Sequence, residues 1–169
     1  MTAVGQVKRA VAAAIKAAGC AAIESYSEEQ LKRYATAVAA VGTKETVIEE
    51  NGAAQYLGEK VDEATQETVS VYGRKMLLTL LIEVYAPRTL GAAGCEEAAE
   101  TITQAMMTAL PEGLKLGSLQ WGKTGWDKTT GMFRLDASAK YAAYFVAEAA
   151  EDETVFTDFV LKGTVKERE

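Results

Sequence analysis

The stretch from Tyr72 to Lys140 constrains the fold most, because it places two long extended segments on either side of an amphipathic helix and a shorter strand. In order it reads YGRKMLLTLLIEVYAP, GCEEAAETITQAMMTAL and LKLGSLQWG, and it ends in GMFRLDASAKYAAYFVAEA, which runs past Lys140. The first, third and fourth segments have strand character, and the second has helical spacing. The stretch contains few residues of the types that commonly act in catalysis. It therefore predicts a sheet that presents a surface or an edge to another chain.

The two long strands are expected to differ on their second face, which is half covered in the first strand and solvated in the later one. In the strand predicted over Thr68 to Tyr85, alternate residues form an apolar row, and the opposite row is only partly polar. The apolar row is Met76, Leu78, Leu80, Ile82 and Val84. In the later long strand the residues predicted to share one face are Phe133, Leu135, Ala137, Ala139, Tyr141, Ala143 and Phe145, with Arg134, Asp136, Ser138 and Lys140 opposite. This alternation is typical of a half-solvated antiparallel strand.

Two helices are predicted. Apolar residues from Val4 to Ala18 recur every three or four positions, and Gly19 follows as a helix stop. The second helix has a stripe made of Cys95, Ala98, Ala99, Ile102, Ala105, Met106, Ala109 and Leu110. Gly91 and Gly94 are expected to form a hinge before it. Ser27 is expected to cap a turn or a single helical turn.

Shorter segments complete the expected sheet. Strand candidates are Ala21 to Ser25, Tyr34 to Thr43 with Thr46 to Glu50 pairing back on it, Leu114 to Trp121, and Thr154 to Val165 after an acidic turn. Residues 51–67 contain two glycines and several acids, so they are expected to be mainly a loop, and a mobile one.

The chain is therefore expected to be a single α+β domain over residues 1–169. It combines an antiparallel sheet of four to five strands with two main helices packed on one face, and a short charged tail follows. At 169 residues it can bury a core without disulfides. Cys20 and Cys95 have no neighbouring cysteine or histidine partner, so they are expected to be buried free thiols, although a disulfide between them stays open.

Composition excludes several classes of function. The chain has no histidine, which removes imidazole-based nucleophile activation and histidine metal sites. Neither phosphate-loop nor dinucleotide-binding glycine motifs occur; GKTGWDK has the wrong spacing. With a net charge of −6 and scattered basic residues, specific nucleic-acid binding is not expected. No cofactor, metal site or membrane span is expected. The alanine-rich N-terminus is read as a mature helix rather than a signal peptide, so synthesis is expected in the cytoplasm without export.

Some residues keep two interpretations. Acidic pairs such as Glu96-Glu97 are most simply solvated helix starts or turns, although a carboxylate-based enzyme remains open. Trp121 and Trp126 flank the long turn WGKTGWDKTTG, and they fit either an interface anchor or the domain's own core. Met106 and Met107 are expected to be core residues.

The order of these segments resembles the tail terminator or tail completion proteins of long-tailed bacteriophages and phage-derived tail particles. The similarity spans most of the chain, from YSEEQLKRYATAVAAVG through YGRKMLLTLLIEVYAP and the following helix to LGSLQWGKTGWDKTTGMFRLDASAKY. Its markers are a pattern rather than an invariant motif, and include the turn of Trp126, Asp127, Lys128, Thr129 and Thr130. Trp126 stands where related chains tend toward tyrosine, and the 51–67 segment is long, so the tube-facing surface stays open.

The resemblance implies a non-enzymatic virion structural protein. It would form a homo-oligomeric ring, commonly a hexamer, that caps the tail tube, stops tail growth and joins the tail to the head or collar. Its partners would be itself, the tail tube protein and a connector or collar protein. It would be assembled in the bacterial host cytoplasm, from a phage or prophage. Hypothetical interface residues are Trp121, Trp126, Asp127, Lys128 and the tail from Lys162. The alternatives are a tail-tube or neck connector subunit and, in another class, a small-molecule-binding or carboxylate-based enzyme domain.

Overall fold

The structure, a computed structural model, describes residues 3–50, 56–146, 148–150 and 153–157. Its elements in chain order are α1 (Ala3–Ala17), β1 (Ala21–Ile23), α2 (Glu28–Leu31), β2 (Val38–Glu49), β3 (Tyr56–Val61), β4 (Thr68–Ala86), α3 (Gly91–Thr108), β5 (Lys115–Trp121), β6 (Gly125–Asp127), β7 (Met132–Val146), β8 (Glu148–Ala150) and β9 (Glu153–Thr157). The predicted α+β class is confirmed.

The main sheet has seven strands. Five of them lie in the order β1-β2-β4-β7-β5, while β3 pairs with β4 and β6 pairs with β7. β1 is parallel to β2, and every other pairing is antiparallel. The count exceeds the expected four to five, and β3 and β6 are the two strands of this sheet that were not expected. β4 is the central strand, pairing with β7 from Gly73 to Ala86.

Helices α1 and α3 pack on one face of this sheet, as predicted. The apolar row of β4 from Met76 to Val84 is buried against them, as are Val11 and Ile15 of α1 and Ile102 of α3. Burying a side chain of this size contributes roughly 1.5–3 kcal/mol. This layer fixes the sheet as the rigid platform of the molecule.

The expected hinge at Gly91 and Gly94 is wrong, because both glycines belong to the first turn of α3. Gly91 has a φ of 66°, which glycine adopts at little cost. A Cβ at Gly94 would lie 2.8 Å from the Cβ of Leu90 and 3.2 Å from that of Ala86. Gly94 therefore permits close packing of the helix start on the end of β4.

Two segments that were expected to be separate strands form one continuous strand, β2. Tyr34 to Thr43 and Thr46 to Glu50 were predicted to pair with each other, whereas β2 runs continuously from Val38 to Glu49 and pairs along its length with β4. A register shift between Thr43 and Glu45 accommodates Lys44. A bulge of this kind adds one residue to a strand without ending it, and it disguises the alternation.

The expected loop over 51–67 is also partly wrong. Tyr56–Val61 forms β3, which pairs with the first residues of β4, and the rings of Tyr56 and Tyr72 lie 5.8 Å apart. The Asp62 carboxylate accepts the Ala64 backbone N–H at 2.8 Å in the turn of this hairpin. Cross-strand aromatic pairing outweighs the glycine and acid content that favoured a loop. Residues 51–55 lie outside the described residues.

At the other end of the chain, β8 and β9 form a separate two-stranded pair. The acidic turn was expected over Glu148 to Glu153, but Glu148–Ala150 is strand, and β9 ends at Thr157. The remainder of the predicted last strand, together with Lys162 and the charged tail, lies outside the described residues.

Within the described residues, α2 covers the second face of the sheet at one end. Leu31 of α2 packs there with Val38, Ala40, Tyr85 and neighbouring residues in a small cluster of buried side chains. Farther along the same face, Leu77 and Leu81 are half-buried. In the described part of the chain, no helix is both long enough and apolar enough to cross a membrane.

Candidate interaction site

The connection between β5 and β7 holds the aromatic residues singled out in the sequence. It was predicted as one long turn, but Gly125–Asp127 forms β6 and pairs with the start of β7, placing Trp126 opposite Phe133. Before it, the backbone N–H of Gly122 donates to the carbonyl of Asp136 at 2.8 Å. The segment is therefore fixed to β7 at both of these points.

Asp127 closes the tight turn that follows β6. Its carboxylate accepts the Thr129 backbone N–H at 3.1 Å and the Thr130 hydroxyl at 2.8 Å. Its carbonyl accepts the Gly131 N–H at 2.9 Å. The hydrogen bond from Thr130 holds the pKa of the Asp127 carboxyl below its ordinary value, because it favours the ionised form. Asp127 is thus a structural anchor of the turn.

Trp126 is the exposed aromatic of this site. It is 45% exposed, and its ring meets Phe133 edge-on, with centroids 5.1 Å apart and an interplanar angle of 76°. Lys128 follows it in the turn and is exposed. The structure brings Trp126, Asp127 and Lys128 together, as the sequence predicted, and it holds the indole in place on the surface.

Trp121 has a different environment. It is half-buried on the helix side of β5, and its indole Nε1–H donates to the Thr103 hydroxyl of α3 at 3.0 Å. It also lines an apolar groove of about 390 Å³ together with Ala99 and Met107. Trp121 therefore joins β5 to α3, which favours the core interpretation for this tryptophan.

The two methionines of α3 differ as well. Met106 is buried, and its sulfur accepts the Tyr141 hydroxyl at 2.9 Å. Met107 is 75% exposed, so its prediction as a core residue is wrong. One residue of offset on a helix turns the side chain by about 100°, which is enough to take Met107 off the buried stripe.

A charged cluster that the sequence did not single out lies beside the turn, on the second face of the sheet. The Arg134 guanidinium contacts Glu83 at 2.7 Å and holds Asp136 through two hydrogen bonds of 2.7 and 2.9 Å. The Tyr85 hydroxyl donates to Glu83 at 3.2 Å. Arg134 and Asp136 are two residues apart on one strand face, and this spacing is the signal that could have revealed their pairing.

The cluster fixes the charges of its members. Hydrogen bonding to Asp136 raises the pKa of Arg134 above its ordinary value. Burial raises the pKa of Tyr85, and the nearby Glu83 carboxylate raises it further, so the phenol stays neutral. These residues form an ionic surface on the face of the sheet opposite to the one that Phe133 and Trp126 share.

A cavity of about 370 Å³ lies between the turn and the cluster. Its lining is Lys123, Gly125, Trp126, Asp127, Arg134 and Asp136. Its two carboxylates already accept hydrogen bonds from Thr130 and Arg134. Among the described residues, no three His, Cys, Asp or Glu side chains lie close enough together to hold a metal ion.

Cys20 and Cys95 are free and buried, as predicted, and desolvation raises the pKa of Cys95 to about 11.

No known family profile matches the chain, and no curated protein matches it. Among solved structures, it is similar to a chain from the virion of a native gene transfer agent (GTA) particle, with 17% sequence identity and a TM-score of 0.43. The match covers 85% of this chain and 99% of that chain.

Proposed function

We propose that this chain is a structural protein of a virion or phage-tail-like particle. In this role it caps the end of the tail tube as a homo-oligomeric ring, stops tail growth and joins the tail to the head or collar. The proposal starts from the sequence resemblance to tail terminator proteins, which spans most of the chain. It assigns the turn around Trp126 to contact with another particle protein.

The observation that carries the proposal is the fixed, exposed Trp126. Trp126 is 45% exposed, its ring packs edge-on against Phe133, and the Asp127 turn fixes the backbone that follows it. Preorganised aromatic side chains are enriched among the residues that dominate protein interfaces, because little conformational entropy is lost when they bind.

Charge supports the same role. A ring through which DNA passes should not retain it, and a net charge of −6 disfavours DNA binding. Assembly would take place in the bacterial host cytoplasm.

The second candidate is a tail-tube or neck connector subunit. Within the described residues, the sheet ends in β5 on one side, and on the other side β1 covers only part of β2. Contacts between such unlike edges build open stacks in some geometries and closed rings in others. A tube subunit would polymerise into stacks of indefinite length, whereas a terminator would stop at one discrete oligomer.

The experiment is to determine the mass of the assembly formed by the purified chain, alone and mixed with the tail-tube protein of the same particle. The proposal expects one discrete oligomer, of about six copies on the resemblance, at least in the presence of tubes. Open-ended polymers would favour the tube alternative. A strict monomer that does not bind tube protein would contradict the proposed function.

A further inference from the structure

The sheet has two free edges on opposite sides. On one side β5 pairs only with β7 within the described residues. On the other side β1 covers β2 only at Val38–Ala40, which leaves the outer edge of Val41–Glu49 without a strand partner in the described part of the chain. Natural proteins rarely leave edges of this length unprotected, because the unpaired backbone groups recruit other strands.

The two edges lie at the same level along the sheet. At one end of β5, Trp121 lies opposite Ala137 of β7. Ala137 lies opposite Ile82 of β4, and Ile82 lies opposite Val41 of β2. At the other end of β5, the same sequence of cross-strand partners leads from Lys115 to Ala142, then to Leu77 and finally to Val47. A second copy shifted sideways, without sliding along the strands, would therefore bring its β2 edge against β5.

Strand direction also matches. β2, β4, β7 and β5 alternate in direction, so β5 runs opposite to β2. In two copies with the same orientation, β5 of the first and β2 of the second would pair antiparallel, and the helices of both would stay on the same face. The sheet would continue across the boundary, with one bulge on each of the two strands, between Leu116 and Ser118 of β5 and between Thr43 and Glu45 of β2.

The edges carry opposite charge on the open face. Lys115 is at the level of Val47, and Glu45 and Glu49 lie two residues to either side of Val47 on that face. All three charged side chains are exposed, and none forms an ion pair with another described residue. In the paired arrangement, Lys115 of one copy would sit diagonally between Glu45 and Glu49 of the next, within reach for a long side chain.

The helix side provides an apolar match. Ile48 of β2 is 42% exposed. Through Met76 of β4 it is in register with Ala143 of β7, which is one residue past the partner of Lys115, on the side of Leu114. On the β5 side at that level is a groove of about 500 Å³, lined by Met106, Met107, Thr108, Leu110, Leu114, Lys115 and Leu116. Ile48 of a neighbouring copy would enter this groove.

We propose that copies of this chain associate head to tail through their free sheet edges, with β5 of one copy pairing antiparallel to Val41–Glu49 of the next. The inference rests on the proposed role as a ring subunit and identifies its subunit interface. Contacts between unlike edges repeat from copy to copy, and they build a closed ring when the rotation from one copy to the next closes on itself.

Charge reversal tests the pairing. Variant Lys115→Glu makes both edges acidic, and variant Glu45→Lys/Glu49→Lys makes both edges basic, so each alone should associate about tenfold more weakly or worse. An equimolar mixture of the two, or the triple variant in one chain, should restore association. The readout is oligomer mass by light scattering at low ionic strength, or ring occupancy at tube ends if rings form only there.

Control variants distinguish an effect of the sheet edges on association from an effect of the total charge of the chain or of its folding. Arg88→Glu and Glu63→Lys/Glu67→Lys alter exposed charges away from both edges by the same amounts and should associate like the unmodified chain. For the apolar contact, Ile48→Ser should weaken association, whereas Val61→Ser, at an exposed site in the β3 hairpin, should not.

The outcomes are distinguishable. Loss in each reversal variant with recovery in the mixture supports head-to-tail edge pairing. Reversal variants that assemble like the unmodified chain would overturn the edge interface and leave ring formation intact. An unmodified chain that stays monomeric, alone and with tubes, would overturn both the interface and the proposed function.

Discussion

The indole of Trp121 and the hydroxyl of Thr103 join the edge strand β5 to helix α3, through an Nε1–H to Oγ1 hydrogen bond of 3.0 Å. The same hydroxyl donates to the carbonyl of Ala99 at 2.7 Å, so its proton is already used and its lone pair faces the indole. This bond orients β5, which is the strand that the structure leaves free on its outer side.

Substituting Thr103→Val should therefore lower the free energy of unfolding by about 1 kcal/mol, since the half-buried indole N–H loses its acceptor. Thr103→Ser keeps the hydroxyl and should stay closer to the unmodified chain. Urea denaturation of the three proteins measures the difference. Equal stability of the valine and serine variants would show that the bond contributes nothing.

The Arg134 cluster should behave as one unit. In Arg134→Met, Glu83 would keep its charge at a side chain only 12% exposed, with Tyr85 as its remaining partner. We expect a loss of about 1–3 kcal/mol, less than for a fully buried pair because the Arg134 side chain is 37% exposed. The double variant Arg134→Met/Glu83→Gln should recover part of this loss. Denaturation curves in which the double variant is the less stable would contradict the coupling.

Trp126→Ala should affect association more than folding. Loss of the edge-on contact with Phe133 should cost about 1 kcal/mol of stability, whereas loss of an interface anchor should weaken binding to tail components by tenfold or more. Tyr56→Ala is the matched control, since Tyr56 is 40% exposed and also meets an aromatic partner edge-on. If the folded alanine variant at 126 binds tubes like the control, Trp126 is no anchor.

The turn should weaken in acid. The pKa of Asp127 is lowered by the Thr130 hydroxyl, so its stabilisation is complete above the ordinary carboxyl pKa of about 3.9 and is lost as pH falls through the lower folded value. The stability difference between the unmodified chain and Asp127→Asn should accordingly shrink below about pH 4. Denaturation at a series of pH values measures it, and a difference that stays constant with pH would contradict this role.

Much of the fold follows from periodicity. The helix-facing rows of β4 and β7 and the stripes of α1 and α3 could be predicted because every second or every third to fourth residue is apolar and buried. The continuity of β2 could not, since a bulge near Lys44 interrupts its alternation. β3 was missed because its partner, the start of β4, supplies the contacts that its own composition lacks.

The candidate site was partly predictable for the same reason. Trp126, Asp127 and Lys128 are adjacent in sequence, so their proximity required no tertiary information. The contacts of Trp121 with Thr103 and of Arg134 with Glu83 join residues far apart in the chain. Only the pairing of strands, which depends on the whole sheet, brings them together.

Electron microscopy of tail tubes grown with and without the chain tests the central claim most directly. If the chain caps tubes, adding it during growth should shorten the tubes and narrow their length distribution, and a ring of density should be visible at one end. Tubes of unchanged length with bare ends, at chain concentrations well above that of the tube ends, would contradict the account.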